Sequence, residues 1–218
     1  MNRNNLATLA LLALALPLPG HAAALMGFAD STMFMGEWSA DYQEIMANYS
    51  PSFGHAIGIE SMQMRDKDGM RSGIAAINYT GIFKRWNLPQ GQANLWFTGG
   101  IGESYGSDRQ GFAYTPGLQF DYETTRVYFL ARARMMRAPG MNFDTAAVQG
   151  GFSFYETSYE HTQPWFVVEA RTMRNMDPAM QVTPALRLIN KDYFLELGLT
   201  NPWDEGVRMP RINFMLTF

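Results

Sequence analysis

From residue 26 to the end of the chain, apolar side chains return at every second position in runs of about ten residues, separated by short clusters of Gly, Pro, Asn and Asp. Side chains alternate faces along an extended chain, so each run predicts a strand with one apolar and one polar face. The clearest run is the last. Ile212, Phe214, Leu216 and Phe218 share one face, and Arg211, Asn213, Met215 and Thr217 the other. Counting back from it predicts strands near residues 193–200, 181–189, 165–173, 145–155, 125–136, 111–121, 93–103, 72–84, 56–64 and 43–50. Bacterial single-chain barrels have an even number of strands, and residues 29–37 supply the twelfth. The expected fold is all-β, an antiparallel up-and-down barrel of about 12 strands, with 10 as the alternative.

The apolar face includes Leu95, Phe97, Ile101, Leu118, Phe129, Val148, Phe166 and Leu197, and polar residues largely avoid it. This pattern resembles that of the Gram-negative outer-membrane β-barrel class, whose last strand alternates in the same way and ends in an aromatic residue. The resemblance implies a transmembrane barrel in the cell outer membrane, with its apolar face on the lipids. It also implies assembly by the barrel assembly machinery through the strand ending in Phe218. Trp38, Trp86, Trp165 and Trp203 sit at or just beyond strand ends, where amphipathic rings form the girdles of such barrels. The competing arrangement is a soluble barrel or sandwich with the same apolar residues turned into its core.

Residues 1–24 read as a cleaved export signal: Arg3, an apolar run from Leu6 to Leu18, a break at Pro17 and Pro19, and a small-residue exit at Ala22 to Ala24. Residues 25–218 then form a single barrel domain, with no linker and no shift of composition inside it. No later stretch reaches the roughly 18 apolar residues a membrane helix needs, so any crossing is made by strands. The chain has no cysteine, which excludes disulfides, thiolate metal sites and a lipid anchor on Cys. A net charge of −3 gives no reason to expect nucleic acid.

Short turns at 122–124 and 190–192 fall on the end that carries Phe218, the expected periplasmic side. The candidate outer loops are 65–71, 104–110, 137–144, 174–180 and 201–210, against inner connections at 85–92 and 156–164. The polar face supplies the candidate lumen-lining charges: Glu60, Lys84, Arg126, Arg132, Arg134, Glu169, Arg171, Arg187 and Glu196, with Asp121 beside them. Basic groups outnumber acidic ones in this set. A basic water-filled passage lowers the barrier for anions, whereas charges paired across strands would close a narrow barrel. The short turn at 190–192 sets Arg187 opposite Glu196 in a cross-strand ion pair, with Glu169 as the other expected neighbour of Arg187.

Three further chemistries have residues in the chain that could serve them. Met62 and Met64 share one strand face, as do Met33 and Met35, and thioethers select Cu(I). Methionine is also a flexible apolar filler. His55 and His161 are the histidines after the export signal, and neither lies in a nucleophile elbow or an HExxH motif. Glycines inside the strands, among them Gly100, Gly117 and Gly151, fit tight barrel packing rather than a phosphate loop. The leading reading is a narrow porin-like channel or transporter for small solutes, anions among them. Its alternative is a closed barrel with an envelope-structural or accessory role, followed by copper handling and an outer-membrane hydrolase. No cofactor and no catalytic residue is expected, and the solute is not named by the sequence.

Overall fold

The computed structural model describes residues 28–106, 110–158, 160–176, 178–206 and 208–218. The export segment, 1–24, lies outside the described residues. The strands are β1 (Ser31–Trp38), β2 (Tyr42–Ser52), β3 (His55–Arg65), β4 (Arg71–Leu88), β5 (Gly91–Tyr105), β6 (Phe112–Tyr114), β7 (Gly117–Glu123), β8 (Val127–Ala138), β9 (Met141–Ser153), β10 (Gln163–Met173), β11 (Met180–Ile189), β12 (Tyr193–Thr200) and β13 (Met209–Thr217). Each pairs antiparallel with its neighbour, and β1 closes onto β13 from Met33↔Thr217 to Trp38↔Ile212. The thirteen segments occupy twelve places around the wall. Both β6 and β7 lie between β5 and β8, and the break between them falls at Thr115 and Pro116, where proline has no N–H to donate.

Every run predicted from the alternation becomes a strand, within a few residues. The largest differences come from turn chemistry. Residues 137–144 were expected as an outer loop, but β8 and β9 meet in a two-residue turn at Pro139–Gly140, with Ala138 paired to Met141. Gly140 has φ of 74°, the left-handed conformation a proline-glycine turn demands. Residues 85–92 likewise form strand around a turn at Pro89–Gln90, with Leu88 paired to Gly91.

The outer wall is apolar. Ile59 and Ile77 are each 64% exposed, and Phe129, Val148, Leu186, Leu197 and Ile212 stand free beside them. The interior holds ionised residues at near-zero exposure, among them Glu60, Arg171, Arg187 and Glu196. A soluble barrel reverses this arrangement, and an apolar surface of this extent belongs in lipid. Near the end that carries Phe218, aromatic rings ring the outer wall: Phe83 against Phe97, Trp86 against Phe120, Phe120 against Phe129, and Phe152 against Phe166, with centroids 5.9 to 6.4 Å apart. Trp165 does not join this girdle. It is 3% exposed and lies inside, because it shares its face with Val167 and Glu169.

Candidate functional site: the lumen

The lumen is filled in layers. Toward the loop end, Met62, Met64, Met136, Met141, Met173 and Met176 pack with Tyr42, Ile74 and Phe143 into one buried cluster. Toward the end carrying Phe218, Tyr128, Leu130, Trp165, Val167, Ile189 and Phe194 form a second. Between them runs a belt of charge around a cavity of about 190 Å³.

The belt is assembled from β1, β2, β3, β8, β10, β11, β12 and β13. Arg171 meets Glu37 with both terminal nitrogens and Glu169 through Nε at 2.8 Å. Arg211 bridges Glu169 at 2.6 Å and Glu196 at 3.1 Å. Glu196 holds Arg187 at 2.7 Å, and Arg187 donates to Gln149 Oε1 at 2.6 Å. On the other side Arg134 reaches Glu44 and Glu60, each at 2.6 Å, and Thr115 donates to Glu60 at 2.8 Å. Arg187–Glu196 and Arg211–Glu196 follow the wall between adjacent strands, whereas the pairs of Arg132, Arg134 and Arg171 with Glu37, Glu44 and Glu60 span the barrel. Arg132 on β8 lies 3.7 Å from Glu37 on β1, half-way round the twelve places. Buried charges remain tolerable only when paired and hydrogen-bonded, and here five arginines meet five glutamates. Arg132, with its side chain 36% exposed, is the least committed.

Glycine makes room for this wiring. A Cβ on Gly100 would collide with the Glu60 carboxylate and lie 2.8 Å from the Thr115 hydroxyl.

Of the residues expected to line the lumen, Glu60, Arg132, Arg134, Glu169, Arg171, Arg187 and Glu196 meet in the belt. Arg187 and Glu196 are direct register partners. Glu169 turns to Arg171, Arg211 and Arg132 instead of to Arg187, whose other partner is Gln149. Two residues fall elsewhere. Lys84 lies on the outer face above the Trp86 ring, 5.2 Å from its centroid. A register shift between Ile82 and Lys84 reverses the alternation there, so that Arg85 points inward and donates to Asn94 at 2.8 Å. Arg126 sits in the turn before β8 and donates to the Ser153 carbonyl.

Glu37, Glu44 and Arg211 were missing from the sequence-derived set. Their parity with Met35, Met46 and Asn213, which puts each on the same strand face, carried the signal. With them counted, and with Lys84 and Arg126 removed, the basic excess expected of the lumen disappears. At its foot, Asp121 accepts from Asn94 at 2.7 Å and from Trp96 Nε1.

Met62 and Met64, the thioether pair seen in the sequence, are both fully buried in the upper cluster. His55 and His161 lie outside the lumen. His55 is hydrogen-bonded to Tyr79 OH at 2.7 Å, and His161 to Ser158 Oγ at 2.7 Å in the connection before β10.

A closed barrel with lipid-compatible residues outside and paired charges inside defines an outer-membrane β-barrel protein. No family model matches the chain, and no curated protein matches its sequence. Among solved structures, LpxR from Salmonella typhimurium matches with a TM-score of 0.51 at 9% identity, over 86% of this chain and 99% of that one. The KdgM porin in complex with disordered oligogalacturonate gives 0.46 at 13% identity, over 86% and 98% of the two chains. The NanC porin gives 0.47 at 12%, also over 86% and 98%. At these identities the likeness to LpxR is one of fold alone.

Proposed function

We propose that the protein is a narrow outer-membrane conduit for small solutes, closed in the conformation described. The observation that carries this reading is the cavity of about 190 Å³ inside a lipid-spanning barrel, bordered by Arg132, Arg134, Gln149 and Glu169. A wall serving only as structure has no need of a chamber bordered by buried charges. The chamber has room for several waters, so its occupant is small. Passage requires both clusters and the belt to part. The export segment at residues 1–24 and the aromatic end at Phe218 fit delivery to the outer membrane of a Gram-negative cell through the barrel assembly machinery, with outer-membrane lipids as the surrounding partner.

The belt favours one other reading, a closed barrel with a structural or accessory role, because its ion pairs tie opposite walls together. Planar-bilayer recording separates the two. The conduit reading expects rare, small steps from the wild type and frequent larger ones from Phe143→Ala combined with Met136→Ala, which thin the upper cluster. Silence from both proteins overturns it and leaves the structural role.

A further inference from the structure

The methionines are distributed in a way that apolar filling does not explain. Of the 16 in the chain, fourteen lie among the described residues, and eleven of these face the interior or pack into it. Met70, Met135 and Met180 are the exceptions. The lipid-facing wall, where any apolar side chain would serve, is built from Ile, Val, Leu and Phe. Thioethers are concentrated where the chain encloses space.

Three of them form a row. Met35 on β1 is the direct register partner of Met46 on β2 and of Met215 on β13. Paired residues share a face with Cβ atoms about 4.5–5.5 Å apart, so the three sulfurs stand on adjacent strands, and all three residues border the central cavity. Asn48 Nδ2 donates to the Met46 sulfur at 3.1 Å and fixes its direction. Across the cavity, Asn78 is buried, and its Oδ1 has no hydrogen-bond partner. The chamber therefore offers three soft sulfur donors and one oxygen that lacks a partner.

We infer that the row formed by Met35, Met46 and Met215 binds a soft monovalent cation, Cu(I) or Ag(I), inside the barrel. This rests on the reading of the central cavity as the resting place of the solute, and it names the class of that solute. Neutral thioethers select soft d¹⁰ ions over hard divalent ones. Among the described residues no group of three His, Cys, Asp or Glu could hold a hard ion. Glu60, the register partner of Met46 on β3, is held by Arg134, and Glu37 and Glu44 stand one inward position further along β1 and β2, paired in register. These two are also engaged, Glu37 by Arg171 and Arg132 and Glu44 by Arg134. The belt as a whole is neutral, so one added positive charge meets no excess of cations. The six methionines of the upper cluster supply the same ligand type between the loop end and the row. Conduction needs several such weak sites in succession.

The test uses Ag(I), which needs no reductant, titrated calorimetrically into the refolded full-length barrel in detergent. Folding of every variant is checked by heat-modifiable gel mobility. The triple variant Met35→Leu, Met46→Leu, Met215→Leu conserves side-chain volume and is expected to bind one Ag(I) fewer per barrel than wild type. Leucine at Met70, Met135 and Met180 is expected to leave the stoichiometry unchanged. Folded wild type that takes up no Ag(I), or a folded triple variant with wild-type stoichiometry, overturns the site. Conductance without Ag(I) binding would remove this inference and leave the conduit standing. Ag(I) binding with silent bilayers, even when the upper cluster is thinned, would remove the conduit and leave the site.

Discussion

Arg187 and Glu196 face each other in register and are sealed from solvent, so removing Glu196 strands the Arg187 charge and removing Arg187 leaves Glu196 to Arg211. Glu196→Leu is expected to lower stability by about 3–5 kcal/mol, read as a shift in urea midpoint in lipid vesicles. The double variant Arg187→Leu, Glu196→Leu should recover part of that loss, though not all, because Arg211 also relies on Glu196. Gly100→Ala tests the same wiring from the backbone side. Its methyl would press on the Glu60 carboxylate that Arg134 holds, for an expected cost of about 1–3 kcal/mol. Both pairs of atoms show how far single residues can be read from sequence. The pairing of Arg187 with Glu196 was legible because a short turn fixes their register. The reach of Arg134 to Glu44 and Glu60 was not, since the partners lie 90 and 74 positions away on strands that never touch β8.

At the scale of the strand, alternation carried nearly all the information, and it failed where a strand changes phase. Nothing in the run around Phe83 announces the extra residue that turns Lys84 to the outer face and Arg85 to the inner one. Arg85→Ala is therefore expected to weaken the Asn94 and Asp121 cluster and lower the urea midpoint. Lys84→Ala should leave that midpoint unchanged, and equal effects from the two would put the register shift elsewhere. Turns were the other blind spot. Proline and glycine at positions 139 and 140 could end two strands with a wide loop or join them tightly, and the tight joint requires the positive φ of Gly140. Gly140→Val should cost about 1–3 kcal/mol through strain at that joint, measured by the same unfolding assay. Trp165 carries a related lesson. Its place near a strand end suggested a girdle, but its parity with Val167 and Glu169 put it inside.

For the molecule as a whole, the two faces of the wall have opposite tolerances. Ile77, outward and far from either end of β4, is expected to lose about 2–4 kcal/mol on replacement by Arg in a bilayer. The same change should cost much less in a detergent that deforms around the charge. The wall could be anticipated from alternation. The state of the lumen could not. A list of inward residues gives composition but not which strands face each other across the space, and the tally leaned basic because Glu37 and Glu44 were uncounted while Lys84 and Arg126 were included.

The seam between β1 and β13 joins by only six register pairs, yet β1 also sends Glu37 across the lumen to β10 and β8. The first strand thus acts as a latch, anchored to distant walls as well as to its neighbours. Under mechanical load, a barrel pulled open at this seam should resist in two events, first the peeling of β13 and then the release of Glu37. Glu37→Gln should merge them into one weaker event in a single-molecule pulling trace.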